Sequence, residues 1–202
     1  MNRKQLFSAA TAVFFAVTMA ACGGGEQAGQ TGGEQAGGQQ QAEGAAETEA
    51  ALTMPDWMTV DEANQTVEIT LIAGETDANN SWNYNGYHTG NATIVVPQGW
   101  EVTIDFSNED QVNAHSISIE SQVGDYPPTF DAAKPVFEGA ATAGATQMAE
   151  ATQPGQSETI SFTASTAGDY AMVCLVPAHA TQGMWLHFNV SADGEVGFRS
   201  SS

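Results

Sequence analysis

Residues 168–190 read GDYAMVCLVPAHATQGMWLHFNV, two apolar segments joined by one loop. The first segment, GDYAMV, and the last, MWLHFNV, are short and rich in aromatic and aliphatic residues, as β-strands are. Between them, Cys174, His179 and Met184 follow a C-x4-H-x4-M spacing. A thiolate, an imidazole and a thioether are metal donors, so this stretch predicts a pair of strands that carries a metal-binding loop.

The donor types in this loop indicate copper. Two imidazoles and one thiolate in a trigonal arrangement, with a weak axial Met, form the ligand set of a blue copper electron-transfer centre. The second imidazole has a candidate upstream, His115, in the sequence NAHSI. We therefore expect one copper ion, cycling between Cu(II) and Cu(I), bound by His115, Cys174, His179 and Met184.

Three further residues are expected beside the copper ligands: Ser116, Pro177 and Trp185. Ser116 follows the first histidine, and hydrogen bonds from such neighbours tune a bound metal. Pro177 removes one backbone N–H near the thiolate, and Trp185 makes the surroundings apolar. Few hydrogen bonds to sulfur and a dry environment favour Cu(I), so we expect a high reduction potential that Ser116→Asn should lower.

The other candidate ligands fit ordinary structural roles. His187 lies three residues after Met184 in the last strand, and strand alternation places the two on opposite faces. His88 lies in a polar loop and is expected to be solvated. Met148 is a less well spaced alternative to Met184 as the axial ligand. Trp82 is expected to be a core or rim aromatic of the sheets.

Short strand-like segments recur along the chain between Gly, Pro, Asn and Asp residues. They predict an all-β fold, an antiparallel Greek-key β-sandwich that forms a single domain over residues 52–202. Residues 125–156 interrupt the pattern and are expected to form a long insertion with a short helix near residues 146–151. The predicted strands cover residues 66–72, 92–96, 101–106, 116–119, 158–162, 168–173 and 184–190.

The N-terminal residues are expected to lie outside the folded domain. Residues 1–21 read as a lipoprotein signal peptide, with Arg3 and Lys4 ahead of an apolar stretch. The sequence TMAAC resembles a bacterial lipobox with Met in place of the usual Leu, so Cys22 would carry the lipid anchor. Residues 22–51 are mainly Gly, Gln, Ala and Glu, which predicts a disordered linker. The alternative is a secreted protein in which Cys22 is unmodified.

Charge excludes one class of partner. The chain has 24 acidic and four basic residues and a formal net charge of −20. Without the signal peptide, Lys134 and Arg199 are the basic residues that remain, so nucleic acid is excluded because phosphate binding needs a basic surface. The shortage of Lys along the whole chain favours a saline habitat over steering of a basic redox partner, since salt screens long-range attraction.

Several other functions are weighed against an electron carrier. A copper-trafficking or storage protein on the same fold is the main alternative, although the seven Met do not cluster at the site. A copper enzyme needs further His clusters, and the chain has four His in all. Met184 argues against zinc. A metal-free sandwich leaves Cys174 unexplained, because Cys22 lies in the anchor segment and cannot pair with it.

The C-x4-H-x4-M loop and the NAHS segment resemble the cupredoxins, most of all the sulfocyanin and rusticyanin group. The sequences WNYNG at residues 82–86 and TIVVPQGW at residues 93–100 also resemble the sulfocyanin pattern, and the likeness spans residues 66–190. It implies that His115, Cys174, His179 and Met184 bind copper.

The resemblance also implies a function. We expect a one-electron carrier, not an enzyme, in a respiratory chain outside the cytoplasmic membrane. Its partners would be redox proteins such as a cytochrome or a terminal oxidase. The protein is expected to be a lipid-anchored monomer, exported to the outer face of the cytoplasmic membrane or to a periplasm-facing membrane surface.

Overall fold

A computed structural model describes residues 51–201. The predicted signal peptide, the Cys22 anchor and the linker up to residue 50 lie outside the described residues. Within residues 51–201, no helix is long and apolar enough to cross a membrane. The same residues form two short 3₁₀ helices, Ala78–Ser81 and Ala180–Gln182, and nine strands: β1 Met58–Asp61, β2 Thr66–Ala73, β3 Ala92–Pro97, β4 Glu101–Asn108, β5 Ser118–Glu120, β6 Ser157–Thr163, β7 Gly168–Val173, β8 Trp185–Ser191 and β9 Gly197–Ser200.

The strands form two sheets, which confirms the predicted all-β sandwich. One sheet has the order β1-β2-β4-β6 and the other the order β5-β7-β8-β3-β9. The prediction that every pair is antiparallel is wrong, because β2 pairs with β4 and β3 pairs with β8 in parallel. Parallel neighbours need a crossover. Here the chain visits the opposite sheet between the two strands, and alternation along one strand carries no information about the direction of its neighbour.

The core lies between the two sheets. Along β2, Val67, Ile69 and Leu71 are fully buried and alternate with more exposed residues. The Phe162 ring of β6 lies 6.0 Å from the Phe188 ring of β8, so the two sheets meet through aromatic contacts. Burial of each such side chain stabilises the fold by about 1.5–3 kcal/mol. This core holds the strands from which the loops between β4 and β5 and between β7 and β8 extend.

Two strands and one predicted helix differ from the expectations. Strands β1 and β9, which are four residues each, were not predicted from the sequence. Residues 146–151 form turns instead of the expected helix. Gly144 has a φ of +56°, and a Cβ there would lie 2.4 Å from the Glu150 Cβ. The chain is therefore folded tightly back on itself at this point, and the small Ala side chains allow close packing instead of favouring a helical face.

The insertion, residues 125–156, packs along the edge of β5 that has no neighbouring strand. Ser118 forms an antiparallel bridge with Ala141, and the Val136 N–H donates to the Ile119 carbonyl at 2.9 Å. Because β5 has only β7 as a strand neighbour, these contacts supply partners on its other side. The insertion thus holds the segment that leads into β5, and this segment contains His115.

Candidate metal centre

The ligand loop, residues 174–184, connects β7 to β8 and closes on itself through backbone hydrogen bonds. The Cys174 N–H donates to the Met184 carbonyl at 3.1 Å, and the Met184 N–H donates to the His179 carbonyl at 3.0 Å. The 3₁₀ helix Ala180–Gln182 fills the turn between His179 and Met184. The loop is therefore a compact unit whose three donor residues have a fixed backbone.

Gly183 makes this closure possible. Its φ is +98°, and a Cβ at this position would lie 2.3 Å from Thr89 Oγ1. The Thr89 N–H donates to the Gly183 carbonyl at 2.6 Å, so the two loops are in direct contact. Glycine tolerates positive φ and close approach of a neighbouring chain, which is what this position requires.

His115 is held from the opposite side of the site. Its backbone forms a bridge with Thr152 of the insertion, with N–H···O distances of 3.0 Å in both directions. Asn108, at the end of β4, donates from Nδ2 to the carbonyls of Thr152 and Asn113, each at 2.8 Å. One buried amide thus joins the insertion to the segment that carries His115.

The side chains of His115, Cys174 and His179 converge. The two Nδ1 atoms lie 3.1 Å apart, and Cys174 Sγ lies 3.4 Å from His179 Nδ1 and 4.0 Å from His115 Nδ1. Among residues 51–201, these are the His, Cys, Asp or Glu side chains whose donor atoms are close enough to share a metal ion. Met184 is fully buried in the same hydrophobic cluster as Cys174.

Asp110 contacts the rear of the first histidine ring. Its Oδ2 lies 3.0 Å from His115 Nε2, and both residues are buried. Burial alone would raise the pKa of Asp110, but hydrogen bonds from Asn113, Val112 and His115 lower it overall. The carboxylate therefore stays ionised and accepts the His115 Nε2–H, which leaves Nδ1 free to bind a metal. Asp110 was not among the site residues predicted from the sequence, although it lies five residues before His115.

The protein environment keeps both imidazoles neutral. Burial and, to a lesser extent, the neighbouring His115 lower the pKa of His179 to about 4, against a weaker opposing effect of Asp110. Burial also lowers the pKa of His115, although Asp110 opposes the shift. Neutral imidazole is the form that binds metal. Burial raises the pKa of Cys174, so its thiol releases the proton only when a cation replaces it.

The Cys174 sulfur receives several hydrogen bonds. Burial raises the pKa of the Cys174 thiol. Hydrogen bonds from the backbones of Ser116 and Val176 and from the Ser116 hydroxyl act in the opposite direction and lower it. Ser116 Oγ lies 3.7 Å from the sulfur and accepts the Leu175 N–H at 3.0 Å. Pro177 follows Val176, and the sulfur is better supplied with donors than Pro177 alone led us to expect.

Tyr84 fixes the backbone of Ser116 through a buried hydrogen bond. Its hydroxyl donates to the Ser116 carbonyl at 2.5 Å, and its ring is fully buried. Burial, together with the nearby Cys174, holds the pKa of Tyr84 well above its usual value, so the hydroxyl remains a donor. The WNYNG segment was expected to matter by resemblance only; the hydrogen bond to Ser116 gives its Tyr a physical role.

A tryptophan covers the second histidine. The Trp82 ring stacks on the His179 imidazole with centroids 4.3 Å apart and an interplanar angle of 20°. Trp185, by contrast, packs on Tyr126 and His187, with centroid distances of 5.7 and 5.2 Å. From the sequence, Trp185 was the aromatic residue expected beside the copper ligands, because it adjoins Met184 in the chain.

The remaining candidates lie apart from the cluster. His187 is half-buried on β8, and His88 pairs with the adjacent Thr89, 3.0 Å from its Oγ1. Met148 is 53% exposed in the insertion. Neither histidine is a member of the group of His, Cys, Asp and Glu donors formed by the described residues.

The donor set fits copper. Three donors separated by 3.1–4.0 Å surround a point that is about 2 Å from each, the usual length of a metal–nitrogen or metal–sulfur bond. Two imidazoles and one thiolate are the equatorial ligands of blue copper sites. The burial of all three suits an ion that exchanges electrons without binding substrate or water.

Comparison with known proteins agrees with this chemistry. Residues 55–199 match the family described as "Sulfocyanin (SoxE) domain". The sulfocyanin of Sulfolobus acidocaldarius is 23% identical over 124 residues, which make up 61% of this chain and 62% of that protein. The chain therefore matches less than two thirds of the length of this curated relative.

The solved structures that resemble this chain include auracyanin and rusticyanin. Dithionite-reduced auracyanin from Roseiflexus castenholzii is 28% identical, with a TM-score of 0.44 over 61% of this chain and 96% of that chain. Rusticyanin from Thiobacillus ferrooxidans is 21% identical, with a TM-score of 0.42 over 67% of this chain and 87% of that chain.

The family match extends over well more than half of the chain and includes every residue of the candidate metal centre. Cupredoxins of this kind bind one copper ion and are electron carriers, not enzymes. The protein belongs to the sulfocyanin family.

Proposed function

We propose that this protein is a blue copper electron carrier in which His115, Cys174, His179 and Met184 bind the ion. The convergence of two imidazole Nδ1 atoms and one thiolate in a buried pocket is the observation that carries the proposal. When bound, copper supplies a one-electron couple. The chain supplies the equatorial donors, an apolar enclosure and the hydrogen bonds that tune the sulfur.

The protein's own residues would keep the site rigid during electron transfer. Asp110 orients the His115 ring, the insertion fixes its backbone, and Gly183 allows the ligand loop to close. A site that changes little between two oxidation states needs little rearrangement when an electron arrives. The buried hydrogen-bond network, in which every buried side-chain polar atom of the described residues has a partner, supports such rigidity.

The proposal extends to the setting of the protein. We place it in a respiratory chain outside the cytoplasmic membrane, as an exported monomer anchored by a lipid on Cys22. Its partners would be redox proteins such as a cytochrome or a terminal oxidase. The signal-like N-terminus and the linker composition of the sequence support this setting.

A visible spectrum tests the copper assignment. One equivalent of Cu(II) added to the purified protein should produce an intense red-region absorption that disappears on reduction. Cys174→Ser should abolish the band, whereas His88→Gln, which removes a histidine outside the cluster, should leave it intact. A colourless protein that binds Zn²⁺ or Cu(I) alone would replace the electron carrier with a trafficking or storage protein.

Membrane attachment is tested separately. Cys22→Ala should move the protein from the membrane fraction to the soluble extracytoplasmic fraction and abolish incorporation of labelled fatty acid. A wild-type protein that takes up no label, or label that persists in Cys22→Ala, would contradict a lipid anchor at this residue.

A further inference from the structure

Trp82 is the outer member of a stacked pair whose inner member is a candidate copper ligand. Its ring lies 4.3 Å from the His179 imidazole and nearly parallel to it. His179 is 2% exposed, whereas Trp82 is half-buried and retains contact with solvent. On this side of the site, the π-surface that an approaching molecule meets therefore belongs to Trp82 and not to the imidazole.

The three residues before Trp82 have a left-handed backbone conformation. Asn79, Asn80 and Ser81 have φ values of 51°, 57° and 64°, three successive non-glycine residues in the left-handed region. Such conformations cost free energy and persist where the surrounding structure imposes them, which is often at functional sites. The segment thus accepts strain immediately before the residue that covers His179.

Asn79 joins this segment to the ligand loop. Its Nδ2 donates to the Trp82 carbonyl and to the Gln182 carbonyl, each at 2.9 Å. Gln182 lies between His179 and Met184 in the chain. A single side-chain amide therefore fixes the position of Trp82 relative to the loop that carries three of the proposed copper ligands.

We propose that Trp82 is the electronic contact of this protein, the residue through which an electron passes between the His179 side of the copper site and a redox partner. This inference rests on the proposed function. One electron moves from the reduced partner, which is oxidised, to Cu(II), which becomes Cu(I); no bond forms and no proton moves. Electron tunnelling weakens steeply with distance, and a stacked aromatic pair offers a short path through π-orbitals.

The other routes to the surface are less direct. Cys174, Met184 and His115 are each 0% exposed, and the outer nitrogen of His115 faces the Asp110 carboxylate. Trp185 is half-buried, but the aromatic rings that it contacts are those of Tyr126 and His187, which are not proposed ligands. Trp82 combines partial exposure with direct contact to a ligand ring.

Electron self-exchange between Cu(I) and Cu(II) forms of the same protein tests the proposal. The reaction has no driving force, so a change in reduction potential cannot by itself explain a change in rate. The rate is read from NMR line broadening in mixtures of the two forms, at high salt because the chains repel each other at a net charge of −20.

Trp82→Leu should slow self-exchange several-fold while the red-region band remains, because Leu fills space and excludes water but has no π-system. Trp82→Phe should recover most of the rate. Trp185→Leu is the matched control and should exchange like the wild type. Equal rates for wild type and Trp82→Leu would overturn the inference and leave the proposed function standing, whereas a wild type without the band would overturn the proposed function itself.

Two further measurements keep the test decisive. In the copper-free protein, the Trp82 ring should shift the His179 ring protons upfield in the NMR spectrum; Trp82→Leu should remove the shift and Trp185→Leu should not. If Trp82→Leu does not take up copper, Asn79→Gly replaces it, because glycine retains the left-handed backbone and removes the amide. Slower self-exchange in Asn79→Gly supports the proposal, and an unchanged rate contradicts it.

Discussion

Individual side chains act on the proposed copper site in opposing directions. The ionised Asp110 beside His115 favours Cu(II), the more highly charged state. The hydrogen bonds from Ser116 and Val176 to the Cys174 sulfur withdraw electron density from the thiolate and so favour Cu(I), which is the reverse of the effect expected for them from the sequence. The reduction potential therefore depends on the balance of these groups and not on the ligand set alone.

Asp110→Asn isolates the effect of the carboxylate. The amide keeps a hydrogen-bond acceptor near His115 Nε2 but removes the charge. Loss of one charge near the ion changes the Cu(II)/Cu(I) free-energy difference by about 2 kcal/mol at an effective dielectric constant of about 20, which corresponds to a potential raised by roughly 100 mV. Voltammetry measures this shift. Asp131→Asn removes the same charge from an exposed position, and an equal shift in both variants would contradict a local effect.

Gly183→Ala tests the close approach of the ligand loop to Thr89. Ala would meet Thr89 Oγ1 and also adopt a φ of +98°. We expect a loss of unfolding free energy of about 2–4 kcal/mol and a weaker red-region band, measured by urea denaturation and absorption. Gly99→Ala is the control, since Gly99 has a φ of +85° with no atom within 4 Å of the added Cβ. If both variants lose the same stability, the contact with Thr89 is unimportant.

At the level of secondary structure, the insertion stabilises the segment that runs from His115 into β5. It forms backbone hydrogen bonds with His115, Ile117 and Ile119 from a segment that forms no strand longer than an isolated bridge. The Asn108 side chain joins the insertion, at Thr152, to the end of β4. The position of the first histidine is therefore set jointly by two segments that are distant in the sequence.

Asn108→Ala tests this joint. The substitution leaves the Asn113 carbonyl and the Asp110 N–H without this partner and removes one of the two hydrogen bonds that the buried Thr152 carbonyl accepts. We expect the unfolding free energy to fall by about 2–4 kcal/mol, since each unsatisfied buried group costs about 1–3 kcal/mol. Copper should also dissociate faster. The control is Asn64→Ala, whose amide contacts Asp61 in an exposed turn. Similar denaturation midpoints for the two variants would show that Asn108 is not a structural joint.

For the molecule as a whole, the buried histidines should couple the stability of the copper-free protein to pH. The pKa of His179 is about 4 in the folded state and about 6.5 when unfolded, so the unfolded chain binds a proton more readily. His179 therefore contributes on the order of 3 kcal/mol to the free energy of unfolding. This contribution is fully present above pH 6.5 and is lost as the pH falls towards 4.

Comparison of variants separates this effect from the titration of the many carboxylates. Urea denaturation of the copper-free protein at pH 7 and pH 4.5 gives the change in unfolding free energy. His179→Gln should lose much less stability between these pH values than the wild type does. His88→Gln, which alters a histidine outside the buried cluster, should behave like the wild type. An undiminished loss in His179→Gln would contradict the assignment.

Some features could be predicted from the sequence because they depend on local order. Strand alternation in residues such as Val67, Ile69 and Leu71 marks one buried face, and the spacing of Cys174, His179 and Met184 places three donors within one loop. These patterns are sufficient for an all-β fold and for copper as the ion. They are local because a strand repeats every two residues and a loop is short.

Other features exist only in the folded chain. The parallel pairing of β2 with β4, the contact of Asp110 with His115, the bridge from Thr152 to His115 and the stack of Trp82 on His179 join segments whose separation carries no pattern. Burial also sets the pKa values of the two histidines, since it removes water that the sequence alone cannot locate. The ion and the fold class thus follow from local spacing, whereas the tuning of the site and its contact with the surface follow from tertiary packing.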